Sequence, residues 1–148
     1  MNTLNLHESF LFEGVDEKYV DDFLLDCERV QLQKNEFLFH RNEIGDSMYI
    51  IENGKLEIIF DEQTTQLKSL PKNIIPIFES GVVIGELCVF GQQRRSASIC
   101  ALEQSTLLKI EGQDFRARIY SKELDALLIC YNIAKVLSQR LMSADMLF

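Results

Sequence analysis

Gly85-Glu86-Leu87-Cys88-Val89-Phe90-Gly91-Gln92-Gln93-Arg94-Arg95-Ser96-Ala97-Ser98-Ile99 is the stretch around which the rest of the chain falls into place. Just before it, Val82-Val83-Ile84 is an apolar run that reads as the end of a strand. Gly85 lets the backbone turn closely, and Glu86 to Phe90 is long enough for one short helix. Gly91 suits the left-handed conformation in which helices often end. From Arg95 to Ile99 the pattern alternates again, as in a strand. A helix N-terminus presents unpaired N–H groups and a dipole that favours an anion. An arginine returned beside those donors adds a fixed charge and a planar fork that matches phosphate oxygens. Glu86, at the helix start, is an acceptor for hydroxyls. Anion donors together with a hydroxyl acceptor point to a sugar phosphate. Taken singly, these residues have plainer readings. Glu86 is a carboxylate that favours a helix N-terminus by about 0.3–1 kcal/mol, Arg95 a surface ion-pair partner, and Arg94 a solvated strand residue.

Upstream of this stretch the pattern is one of short strands. Val30 to Gln33 alternates, Lys34-Asn35 is a turn, and Phe37 to Phe39 begins another strand. Arg41 to Asp46 is polar and contains a glycine, so a loop is expected. Met48 to Ile51 is a buried strand, Asn53-Gly54 a two-residue hairpin signal, and Leu56 to Phe60 the expected partner. Leu67 to Leu70, Ile74 to Phe78, Ala97 to Ala101 and Thr106 to Ile110 complete the set. Many short strands with regular turn signals indicate a sandwich or barrel.

Helices are expected at both ends. In the segment Leu4 to Leu25, Asp16 is a plausible N-cap for a helix that buries Tyr19, Val20, Phe23 and Leu24. Gln113 to Tyr120 is a second helical region, and Ser121 is read as the N-cap of a long helix running to about Met146. On that helix Leu127, Tyr131, Ala134, Leu137 and Leu141 form one stripe, and Ile129, Ile133, Val136 and Arg140 lie partly on another. So wide an apolar surface serves as a lid over a ligand, as a contact with a second copy, or as both.

Gly85-Glu86-Leu87 followed by Arg95-Ser96-Ala97, with the arginine nine residues after the glutamate, resembles the phosphate-binding cassette of cyclic-nucleotide-binding domains. These domains include catabolite activators and regulatory subunits of protein kinase A. Phe39 to Leu56, with its glycine loop, Met48-Tyr49 strand and Asn53-Gly54 turn, resembles the same family, and the similarity spans roughly the whole chain. Three departures stand out. Asn42 replaces a common glycine, Ile84 a common aromatic, and Lys72 to Ser80 lengthens the approach to the cassette. The resemblance implies one domain over residues 1–148. It is mainly β, an antiparallel jelly roll (double-stranded β-helix) spanning 28–111. A helical segment precedes it at 1–27, and the B and C helices follow at 112–148.

It also implies a sensor of 3′,5′-cyclic AMP or cyclic GMP with no other cofactor. Glu86 would take the ribose 2′-hydroxyl, and Arg95 the phosphate, with the amides of Glu86 to Cys88. Gly85, Leu87, Ser96 and Ala97 would line the same site. Tyr131 and Arg140 are candidates for the purine and equally for interhelical contacts. The expected partners are a separate effector protein or a fused domain beyond this chain, and a homodimer through the C-terminal helix. An interaction module that dimerises without nucleotide is the alternative.

Other classes fit less well. A formal net charge of −8 argues against nucleic-acid binding by this chain alone. No apolar run approaches the roughly 20 residues of a membrane span, and no signal peptide is visible. Cys27, Cys88, Cys100 and Cys130 lack the close spacing of a zinc site, so reduced thiols in the cytoplasm are expected. A cupin-like enzyme would need several metal-binding histidines, and only His7 and His40 are present. Neither serine of Ser96 and Ser98 has a histidine partner in sequence, so no catalytic residue is proposed.

Overall fold

A computed structural model of the chain describes residues 6–59 and 77–143. Among these described residues there are ten strands: β1 (Glu28–Leu32), β2 (Phe37–Phe39), β3 (Ile44–Gly45), β4 (Ser47–Asn53), β5 (Leu56–Ile59), β6 (Ile77–Phe78), β7 (Val83–Ile84), β8 (Gln93–Arg94), β9 (Ser98–Ala101) and β10 (Ser105–Glu111). Antiparallel pairing builds two four-stranded sheets, ordered β1-β10-β4-β7 and β2-β9-β5-β6, and a two-stranded ribbon of β3 and β8. Short 3-10 turns (Leu6–Glu8, Phe10–Phe12) and helix α1 (Glu17–Asp26) precede this roll, and α2 (Gly112–Tyr120) and α3 (Leu124–Ser143) follow it. This is the jelly roll with flanking helices that the strand spacing and the cassette implied.

The pleat of β4 explains how one sheet serves two cores. Successive side chains of a strand point to opposite faces. Met48 and Ile50 therefore pack with Phe23, Phe115, Ile129 and Ile133 under the helices. Tyr49 and Ile51 face the interior of the roll with Leu32, Leu56, Ile99 and Leu107. Ser47 to Ile51 are all buried, so β4 reads as a continuous apolar run rather than a half-exposed alternation. Burying a Leu or Ile fully contributes about 1.5–3 kcal/mol relative to leaving it exposed.

Several local expectations meet a different arrangement. Leu56–Ile59 is not the hairpin partner of β4, because β5 pairs with β6 and β9 while β4 pairs with β7 and β10. The Asn53-Gly54 turn instead carries the chain from one sheet to the other. Gly54 has φ 106, and a Cβ there would lie 2.1 Å from Ser105 Oγ. That hydroxyl accepts the Lys55 N–H at 3.2 Å and donates to the Glu103 carbonyl at 2.8 Å, tying the corner to β10. Ser121 is not an N-cap for α3; it closes α2, donating its N–H to Ala117 O at 2.9 Å. Lys122 follows with φ 63, the left-handed residue that often ends a helix. Asp16 holds the N-cap place of α1 without a side-chain capping bond. Asn42 has φ 72, the left-handed geometry that asparagine tolerates. The strand expected at Leu67 to Leu70, most of Ile74 to Phe78, and the helix end near Met146 lie outside the described residues.

Ala126, Ile129, Asn132 and Ile133 form the buried face of α3, with Cys130 and Leu137 half-buried beside them. Leu137 thus belongs to the inner face and not to the Leu127–Tyr131–Leu141 stripe, whose large side chains are exposed. Asn132 Nδ2 donates to the carbonyls of Leu11 and Glu13, both at 2.9 Å, and so fastens the N-terminal segment to α3.

Candidate functional site

β7 ends at Ile84, and Gly85 turns the chain with φ 76 into a 3-10 helix, Glu86–Phe90. The Cys88 N–H donates to Gly85 O at 3.3 Å, closing the first turn. The amides of Glu86 and Leu87 precede that bond at the turn's open end. Gly91, with φ 130, releases the chain into β8. The ribbon of β3 and β8 then sets Arg95, whose N–H donates to Glu43 O at 2.8 Å, back beside Gly85.

Arg95 is held from several sides. Its guanidinium stacks over the Phe39 ring at 4.2 Å and donates Nη2 to Ser47 O at 2.9 Å. Two glycines make room for it: a Cβ on Gly45 would lie 2.1 Å from Arg95 Nε, and one on Gly85 2.6 Å from Nη1. One further arginine braces the cassette. Arg116 of α2 grips both Asp46 oxygens at 2.7 and 2.9 Å and donates to Cys88 O at 2.5 Å. The hydrogen bond from Arg116 holds the Asp46 carboxyl below its ordinary pKa, and Asp46 raises that of Arg116 in turn. Burial pushes the Cys88 thiol up to about 12, which leaves it a neutral packing group.

Glu86 is 9% exposed, and its Oε1 accepts from Arg140 Nη1 at 2.5 Å. The pair joins the cassette to the last turn of α3. A cavity of about 520 Å³ lies between them, walled by Phe39, Ile58, Phe78 and Val83 of the roll and by Leu137 and Arg140 of α3. Gly85, Glu86, Leu87, Cys88, Arg95, Ser96 and Ala97 all line it. Its size lies within the range of small-molecule sites, about 300–1,000 Å³. Of the two candidates for the base, Arg140 is on this wall. Tyr131 lies on the outer face of α3, exposed, with Lys135 Nζ 5.3 Å from its ring. Arg94 is exposed on β8 and donates Nη1 to Asn42 O at 2.9 Å.

Sequence reading missed Phe39, Gly45, Asp46 and Arg116. The Gly45-Asp46 pair in a polar loop was a usable signal for close backbone approach. Nothing local marked Arg116, one of several charged residues on a short helix.

A family model for the cyclic nucleotide-binding domain matches residues 29–121. The chain belongs to the cyclic nucleotide-binding domain family. The domain is 26% identical over 136 residues to the cyclic AMP receptor protein of Thermus thermophilus, covering 92% of this chain and 59% of that protein. It is 28% identical over 104 residues to the human cyclic nucleotide-gated channel beta-3, covering 68% of this chain and 12% of the channel. It therefore spans less than two thirds of either relative. Among solved structures it is similar to the Thermus thermophilus catabolite activator protein, with TM-score 0.77 and 26% identity, covering 93% of this chain and 61% of that one. The N-terminal domain of a Streptomyces coelicolor transcriptional regulator shares the fold, with TM-score 0.74 and 22% identity, covering 97% and 95%. Among the described residues no helix is long and apolar enough to cross a membrane, and no cluster of His, Cys, Asp or Glu is placed to hold a metal ion.

Proposed function

We propose that this domain is a cytoplasmic sensor of a 3′,5′-cyclic nucleotide and not an enzyme. One observation carries the reading: Glu86 and Arg95 line a single cavity whose other wall is α3. The phosphate lies on the Arg95 guanidinium, which keeps further N–H donors beyond the one given to Ser47, and on the amides of Glu86 and Leu87. The ribose 2′-hydroxyl donates to Glu86, and the base faces α3. Ser96 and Ala97 flank the phosphate end. Nucleotide favours the state in which α3 is closed on the cassette, and its differential affinity for the closed and open states sets how far the population moves. The signal passes to a separate effector or a fused domain. It also passes to a second copy of the chain: Leu124, Leu127 and Tyr131 follow a 3–4 spacing, Leu141 lies about three turns further along the helix, and all four are exposed, a face suited to an antiparallel or parallel helix pair.

The test is calorimetric titration with cyclic AMP and cyclic GMP. Micromolar or tighter binding that disappears in Arg95→Leu is expected, and no heat from either nucleotide refutes the sensor. A second reading, a dimerising module that works without nucleotide, is favoured by the Arg140–Glu86 pair, which fastens α3 to the cassette by a contact made wholly within the protein. It predicts a dimer, lost in Leu127→Glu, whose association is the same with and without nucleotide.

A further inference from the structure

We propose that Gln93 is a further phosphate ligand of the cavity, its carboxamide donating to the phosphate beside Arg95; this rests on the cyclic-nucleotide reading above. The ribbon sets the placement. β3 and β8 pair with Gly45 directly across from Gln93. Residues opposite each other in an antiparallel pair project to one face, with Cβ positions about 5 Å apart. At Gly45 that face is taken by Arg95, since a Cβ there would lie 2.1 Å from Nε and 2.5 Å from Nη2. The side chain of Gln93 therefore stands beside the Arg95 guanidinium, and both residues line the cavity.

The far end of Gln93 is held as well. Its Nε2 donates to Leu87 O at 3.3 Å, so the side chain reaches from the ribbon across to the cassette helix. A carbonyl only accepts, which fixes the way the carboxamide turns. Nε2 carries two N–H groups, and the second has no partner among the described residues. Arg94, the next residue of β8, sends Nη1 to Asn42 O at 2.9 Å, as the alternation of a strand requires.

A cyclic phosphate diester spreads one negative charge over two exocyclic oxygens, and each takes more than one donor. Arg95 gives one N–H to Ser47 O and keeps others for the anion. The second N–H of Gln93 lies at the edge of that fork and adds a neutral donor, so the donor set grows without a second full charge. A glutamine that merely tied the ribbon to the cassette would make the same bond to Leu87. The two roles part at the phosphate oxygens.

The experiment is titration of the full chain, as wild type, Gln93→Ala and Gln93→Glu, with cyclic AMP, cyclic GMP and the two phosphorothioate diastereomers of cyclic AMP. Gln93 is exposed, so both variants keep the fold. Gln93→Ala should weaken cyclic AMP and cyclic GMP alike by about tenfold, the size of one hydrogen bond to a charged acceptor. Gln93→Glu, which cannot donate and sets a negative charge beside the phosphate, should weaken both by about a hundredfold. Each diastereomer replaces one exocyclic oxygen with sulfur, a weak acceptor. The ratio of their dissociation constants should therefore shift by about threefold or more between wild type and Gln93→Ala, because only one of the two sulfurs meets Gln93. Gln93→Ala that binds within twofold of wild type overturns the inference and leaves the sensor reading standing. A weaker Gln93→Ala whose diastereomer ratio is unchanged also overturns it, leaving Gln93 only its bond to Leu87. Wild type that binds neither cyclic AMP nor cyclic GMP overturns both.

Discussion

Arg116→Ala isolates the brace between α2 and the cassette. The substitution removes two bonds to Asp46, at 2.7 and 2.9 Å, and one to Cys88 O at 2.5 Å. The Asp46 carboxylate is then left without its guanidinium partner, and Cys88 O keeps only the Gly91 N–H at 3.1 Å. An exposed ion pair contributes about 0–1 kcal/mol, whereas breaking a buried one costs about 3–5 kcal/mol. Both side chains here are 24% exposed, so water recovers part of the loss. The bidentate geometry and the added carbonyl bond keep the value well above the surface range. A loss of about 2–3 kcal/mol is expected. With a urea slope of about 1–3 kcal/mol per molar, the unfolding midpoint should fall by about 1–2 M at unchanged slope. Arg116→Lys should recover less than half, because one ammonium cannot reach both Asp46 oxygens and the Cys88 carbonyl together. A double-mutant cycle with Asp46→Asn should show coupling of about 1 kcal/mol or more. A midpoint shift below roughly 0.3 M for Arg116→Ala, the size expected of an exposed pair, would refute the reasoning.

Three further outcomes follow from the same geometry. Gly85→Ala puts a side chain at φ 76 with its Cβ 2.6 Å from Arg95 Nη1 and 3.0 Å from Ser47 O. It should cost about 1–2 kcal/mol by urea unfolding, and calorimetry should show nucleotide affinity falling tenfold or more as Arg95 is displaced. Asn132→Ala leaves the carbonyls of Leu11 and Glu13 without their donor. A loss of about 1–3 kcal/mol is expected, with faster amide exchange at Phe12 and Val15, and unchanged exchange there would count against the tie. The Asp46 carboxyl titrates below its ordinary 3.8 when folded. Its contribution is therefore complete above that pH and is lost as pH falls through the folded value. The stability gap between wild type and Asp46→Asn should be flat from pH 7 to about 5 and shrink toward pH 2; a gap that widens in acid contradicts the assignment.

Much of this architecture was legible before any coordinates. Alternation and turn residues announced a β-rich roll between helices, because side-chain direction along a strand has period two and glycine or asparagine marks where φ turns positive. Asn35 and Asn42 sit at φ 72, and Gly54, Gly85 and Gly91 also have positive φ. The nine-residue step from Glu86 to Arg95 was equally plain, since both residues belong to one strand–helix–strand passage of limited reach. These are short-range facts, and a chain states them in its local order.

Long-range choices were not stated there. The Asn53-Gly54 turn looked like a hairpin, yet β4 and β5 joined different sheets, because β4 is buried on both faces and fits between β7 and β10. Helical spacing displayed two apolar stripes on α3 without saying which turns inward. Packing against Leu11, Phe115 and the under-helix core selected Ile129, Ile133 and Leu137 and left Leu127, Tyr131 and Leu141 outside. Charge partners were the least legible of all. Arg116 meets Asp46 across 70 residues, and Arg140 meets Glu86 across 54. Gly85 to Ile99 by itself determined an anion cradle with a hydroxyl acceptor at its edge. Only the tertiary structure decided that the acceptor would share its carboxylate with an arginine from the far end of the chain, because the roll must close before α3 can lie across it.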